Sequence, residues 1–232
     1  MQKMKLSTTE KIILVLVLLM IVAGYVLFYT NVTSFETYVQ EDGFVEWLTV
    51  LGLLMGFVVC IGRFIRLLRK RKFIFLFVTL LLALLLFVAA GEEISWGQRI
   101  LGIKSSDFFQ KNNSQGETNF HNLVLNGVKI NKIVFSFGLI AVMAIYIVIF
   151  PLLYRTRRGF TNFIDKSGIM MPQVYQVLSI GLLFLLTELI HHGKRAELLE
   201  AGIALLFYLI IRFPVNKATF EDRNHMGGNY RL

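Results

Sequence analysis

The sequence is short of the residues on which many functions rest. Cys60 is its single cysteine, which excludes an intramolecular disulfide and a cysteine-based metal site. Three prolines in 232 residues leave long stretches free to be helical. Charged residues make up only 17%, against about 25% in ordinary soluble domains, and 56% of the chain is hydrophobic. A water-soluble enzyme is not composed this way.

What the chain has instead is a series of apolar runs, at about 12–29, 44–65, 73–91, 133–154, 174–191 and 198–213. Runs near or above about 18 apolar residues read as membrane spans. Backbone polar groups in lipid must be satisfied within the segment, so each run is expected to be a helix. The expected fold class is all-α: a polytopic transmembrane helical bundle of about six spans filling residues 1–213, followed by a polar, poorly ordered cytoplasmic tail, 214–232. The run at 12–29 lacks a small-residue cleavage site and is kept as a span rather than a signal peptide.

Lysine and arginine set the orientation. Six spans put both termini on one side. The opposite side holds only Arg99, Lys104, Lys111, Lys129, Lys132, Lys194 and Arg195, which leaves 17 of the 24 bases on the side of the termini. Both termini are therefore expected in the cytoplasm of a bacterial inner membrane. The net charge of +9 is a topology signal and a contact to anionic lipid, not a nucleic-acid surface.

The polar side chains concentrate in the segment 92–130 after span three, which is expected to be ordered and packed on the outer face of the bundle. Glu92 and Glu93 arrive together, with Ser95, Trp96, Gln98 and Arg99 close behind. If the helix continues past Gly91, Glu92, Ser95, Trp96 and Arg99 form one stripe. Ile100, Leu101, Ile103, Phe108 and Phe109 suggest a partly inserted amphipathic stretch. Acids suit a helix N-terminus, and Glu46, Glu197 and Glu200 sit at such positions; Ser114 and Glu117 have capping-box spacing. Glu92, Glu93 and Glu188 lie at the opposite, unfavourable helix ends.

Glu117/His121 and Glu188/His192 are spaced i, i+4, and Glu188/His191 i, i+3, so each pair can aim at one point from a helix. Carboxylate and imidazole suit zinc, iron or manganese. Glu117, His121, Glu188, His191 and His192 are thus the candidate ligands of a divalent metal, Glu92, Glu93 and Arg99 the candidate catalytic groups, and Trp96, Gln98 and Asn122 candidate substrate contacts.

The strings Glu41-Asp-Gly-Phe-Val-Glu-Trp-Leu-Thr49, Gly91-Glu-Glu-Ile-Ser-Trp-Gly-Gln-Arg99 and Gln115-Gly-Glu-Thr-Asn-Phe-His-Asn122 resemble signatures of an uncharacterised family of bacterial polytopic membrane proteins. That resemblance implies membrane location. A fainter similarity is to alkaline-ceramidase-like membrane hydrolases, although their His-x-x-x-His pair is absent here. Three functions stay open at this point. One is a metal-dependent hydrolase or transferase acting on lipid or lipid-linked substrate at the outer surface. Another is a proton- or cation-coupled transporter, against which stands the lack of mid-span charge. The third is a non-catalytic scaffold or accessory subunit; membrane lipids are the expected partners in all three, and the sequence leaves the oligomeric state open.

Overall fold

A computed structural model describes residues 5–120, 122–125, 128–129 and 138–221. His121, the start of the fourth apolar run and the tail from 222 onward lie outside the described residues. The fold is all-α apart from a two-residue antiparallel pair, β1 (Val124–Leu125) with β2 (Val128–Lys129). Among the described residues, three helices are long and apolar enough to cross a membrane: α1 (Thr8–Thr30), α3 (Phe44–Leu67) and α4 (Phe73–Glu93). Between α1 and α3 lies the short α2 (Val32–Tyr38). After α4 come α5 (Gln98–Leu101) and α6 (Asp107–Asn112). Then α7 (Leu139–Ala144) runs through one π turn into α8 (Phe150–Thr156), and α9 (Arg158–Ser167), α10 (Val174–Glu188) and α11 (Arg195–Arg212) follow.

The helix starts follow from local chemistry. Ser7 and Glu10 form a reciprocal capping box on α1, satisfying two otherwise unpaired N–H groups. Glu46, in the first turn of α3, reaches back to accept from the Asp42 N–H. That carboxylate is held where the helix dipole favours it.

The core runs along α11, where Leu198, Ala201, Leu205, Leu206, Leu209 and Ile210 are all buried. α3 packs between α4 and α11, and α1 and α10 cover the other side of α11. Gly52 permits the α3–α11 approach: a Cβ there would lie 2.7 Å from the Ala204 carbonyl carbon and 2.9 Å from the Leu205 nitrogen. Small residues let helix backbones close in this way, and Gly52 and Gly56 stand at G-x-x-x-G spacing. By contrast, the outer faces of α1 and α4 expose rows of leucine, valine and phenylalanine, as helices facing lipid would.

The beginning of the tail is ordered, contrary to expectation. Phe220 is buried, and Arg66 and Arg71 donate to the Phe220 and Thr219 carbonyls at 3.0 and 2.7 Å. Arg63 donates to the Ile211 and Arg212 carbonyls at 2.5 and 3.2 Å, satisfying the free C-terminal acceptors of α11. Part of the basic cluster thus ties helix ends together instead of facing headgroups. Composition alone does not distinguish those two roles.

Candidate functional site

The helix of α4 does not continue as a stripe. Ser95, Trp96 and Gly97 all take positive φ (46°, 55° and 73°), which breaks the helix and reverses the chain. For a serine and a tryptophan this conformation costs roughly 1–2 kcal/mol each, so something must hold it. Ser95 is fully buried; its hydroxyl donates to Glu117 at 2.5 Å and accepts from Asn119 at 2.7 Å. The Trp96 indole N–H donates to Glu92 at 2.8 Å, and the other Glu92 oxygen accepts the Phe120 N–H at 2.5 Å. The indole ring folds back onto Gly91, where an added Cβ would meet it at 2.8 Å.

Glu117 therefore does not cap a helix. Residues 114–118 form a turn, and the carboxylate lies in the loop network with Ser95 and Arg99. Asn113 and Asn119 are both buried and hydrogen-bond to each other at 2.9 Å, closing the turn from within. Gln98 bridges the two arms of the loop, donating to Ser105 at 2.6 Å and accepting from the Thr118 N–H at 2.7 Å. Its role is to hold the loop, since it does not line the pocket described next. Neither does Trp96.

At this end of the bundle a half-open polar cavity of about 60 Å³ is lined by Glu41, Glu46, Glu92, Glu93, Ser95, Arg99, Gln115, Asn119, Asn122, Glu197 and Glu200. Three helices supply five of the six carboxylates, Glu46 from α3, Glu92 and Glu93 from α4, Glu197 and Glu200 from α11, and Glu41 comes from the turn before α3. Arg99 is the one basic residue in this lining. Its guanidinium lies 3.1 Å from Asp42, 3.1 Å from Glu46, and 3.5 Å from both Glu41 and Glu117. The carboxylates of Glu93, Glu197 and Glu200 receive no hydrogen bond or ion pair from the described residues. Asn122 belongs to the rim: it donates to Gln115 at 2.6 Å, and Gln115 in turn donates to Glu41.

Glu197, one turn before the apolar part of α11, has its acidity shifted to about 7. Burial is the main cause, the nearby charges of Glu46 and Glu41 add to it, and Lys194 opposes it.

The metal set expected from sequence is not brought together. Glu188 is exposed, and both of its carboxylate oxygens accept from Arg195 Nη2, at 2.9 and 3.0 Å. His192 lies 3.2 Å from Glu36 and packs edge-on against Phe35, tying α2 to the α10–α11 turn. His191 is exposed, and neither histidine lines the cavity. The reason is the turn at Ile190, which is fully buried and ends α10 before the helical spacing of Glu188 with the histidines can converge. Among the described residues, no group of three or more His, Cys, Asp or Glu side chains is placed to hold a metal ion. His121 lies outside the described residues.

Glu46, Glu197 and Glu200 were the acids the sequence assigned to helix starts, and all three line the pocket. A signal was present: Glu46, Glu197 and Glu200 stand at the starts of two helices, and Glu93 at the end of a third. Glu188→Gln is accordingly expected to change stability by less than about 1 kcal/mol in chemical denaturation, as for other exposed ion pairs. A loss of several kcal/mol would mean that the Arg195 pair is shielded from solvent by something bound to it.

Against this geometry, comparison with protein families, with curated proteins and with solved structures finds no match to the chain.

Proposed function

We propose that the chain is a six-span integral protein of a bacterial inner membrane, both termini cytoplasmic, whose outward-facing acidic pocket takes up protons in a coupled transport cycle. The observation that carries this reading is the convergence of Glu46, Glu93, Glu197 and Glu200 on one cavity whose lining offers a single guanidinium. Buried carboxylates in such excess call for protons or cations as compensation. Size supports it as well. A cavity of about 60 Å³ admits a few waters or an ion, well below the roughly 300–1,000 Å³ of pockets that enclose organic ligands. A lipid-linked substrate has no comparable support, and of the histidines expected to hold a divalent metal, His192 pairs with Glu36 and His191 does not line the cavity.

The scaffold reading is favoured by one observation, the closed hydrogen-bond network of Ser95, Asn113, Glu117 and Asn119. Proteoliposomes separate the two. Loaded with a pH-sensitive dye and given inward gradients of sodium, potassium or calcium in turn, they are expected to respond to at least one ion. Glu200→Gln should abolish that response and Glu188→Gln retain it. Wild-type vesicles indistinguishable from protein-free ones with all three ions would end the transport reading and leave the scaffold.

A further inference from the structure

The loop that delivers Arg99 has two unlike faces. Toward the bundle it is polar and fully engaged: Ser105, which is buried, receives Gln98 at 2.6 Å and Thr118 at 3.2 Å on its hydroxyl, and Gln110 at 2.7 Å on its carbonyl. On its other face stand Ile100, Leu101, Ile103 and Phe108, with Ile100 and Leu101 respectively 65% and 69% exposed. The sequence suggested a partly inserted amphipathic stretch. In the folded chain these side chains touch too little protein to be buried by it, although the segment itself is ordered. Such a cluster on an otherwise polar loop marks a contact surface.

Its position identifies the occupant. Trp96 folds back along the last turns of α4, with its ring edge-on to Phe87 at 6.2 Å. Below Trp96, α4 presents Leu84, Leu85 and Val88 outward. The apolar loop therefore continues the lipid-facing side of a membrane-length helix, just past its outer end. Tryptophan at that junction suits the headgroup boundary, and Lys104 is available to anionic headgroups beside it.

We propose that Ile100, Leu101, Ile103 and Phe108 insert into the outer leaflet, and that this anchor holds Arg99 over the acidic pocket. Arg99 directly precedes Ile100, so the leaflet fixes one side of α5 while the four carboxylates hold the other. This inference rests on α4 being a membrane span, and the test keeps the two claims separate. In a Cys60→Ala background, Leu101→Cys, Leu85→Cys and Lys111→Cys each receive a nitroxide label and enter nanodiscs of phosphatidylethanolamine and phosphatidylglycerol. Collision rates with oxygen and with a water-soluble nickel complex then report depth.

Leu85→Cys and Leu101→Cys are expected to be oxygen-accessible and nickel-shielded, and Lys111→Cys the reverse. A lipid-like Leu85→Cys with a water-like Leu101→Cys overturns the anchor and spares the span. A water-like Leu85→Cys sinks the span itself. A Leu101→Cys label shielded from both reagents, with spin–spin broadening, means a second copy covers the loop, which also overturns the proposal. The positioning of Arg99 is read separately: Leu101→Asp should speed amide exchange across 97–105 several-fold in nanodiscs while leaving α4 unchanged. Unchanged exchange would refute that half.

Discussion

Arg99→Gln is expected to destabilise the protein by about 3 kcal/mol, the low end of the cost of breaking a buried ion pair. The estimate follows from which of its partners are shielded. Glu41 and Asp42 are each about half exposed, and contacts of that kind contribute little. Glu46 and Glu117 are different, with side chains 7% and 14% exposed, so the variant leaves both shielded from water without their cation. Arg99 itself is only 22% exposed. Its Nε is also the one buried side-chain nitrogen or oxygen among the described residues with no aligned acceptor, as expected for a guanidinium shared between carboxylates on several sides. Arg99→Lys should recover part of the loss, because an ammonium keeps the charge but not the planar fork that reaches several acids at once. Urea unfolding in detergent micelles measures both. A change below about 1 kcal/mol for Arg99→Gln would show that solvent screens the whole cluster.

The all-α class and the three membrane-length helices were legible because long apolar runs leave little room for ambiguity. Phe73–Glu93 carries no charge before Glu92, and only a helix satisfies such a backbone in lipid. Helix ends were legible for a similar reason, as at Ser7 with Glu10. The pocket was half legible: Glu92, Glu93, Arg99, Glu117 and Asn122 were singled out, and the structure gathers them at one end. What misled was reading residues by helical spacing where no helix exists. The reversal at Ser95–Gly97 needs left-handed backbone at a serine and a tryptophan, which local preference disfavours. Only the tertiary bonds of Ser95 and Trp96 override it.

Glu188 with His191 and His192 failed in the same way. Spacing would align them on a continuing helix, but the chain turns at Ile190 to start α11. Glu197 and Glu200 were read as charges matched to a helix dipole, a local explanation that was sufficient and therefore ended the search. Whether such an acid also faces three others across a cavity depends on helix packing. The close α3–α11 contact at Gly52 is a packing fact of this kind, and the position of Glu197 at a helix start does not by itself announce its consequence.

Glu197→Gln should therefore change stability, by an amount that depends on pH. In the unfolded chain this carboxyl titrates near its ordinary value of 4.5, and in the folded protein at about 7. The folded state thus holds the proton more tightly. Below the unfolded value both states are protonated and no penalty exists. As pH rises from about 4.5 toward 7, the unfolded chain releases its proton first and wild-type stability falls; above about 7 the full penalty is in place. The upper bound is about 3 kcal/mol at roughly 1.4 kcal/mol per unit, reduced by the partial exposure of the side chain and by the favourable helix start. Glu197→Gln removes the titrating group, so the variant should match wild type at about pH 4 and exceed it by about 1–3 kcal/mol at about pH 8. Urea midpoints across that range test it, and parallel profiles for the two proteins would mean that Glu197 is hydrated when folded. The same variant should lose the cation-driven dye response in proteoliposomes. Greater stability together with lost function is the pattern of a site that holds strain for its chemistry, whereas a scaffold carboxylate would gain stability and lose nothing.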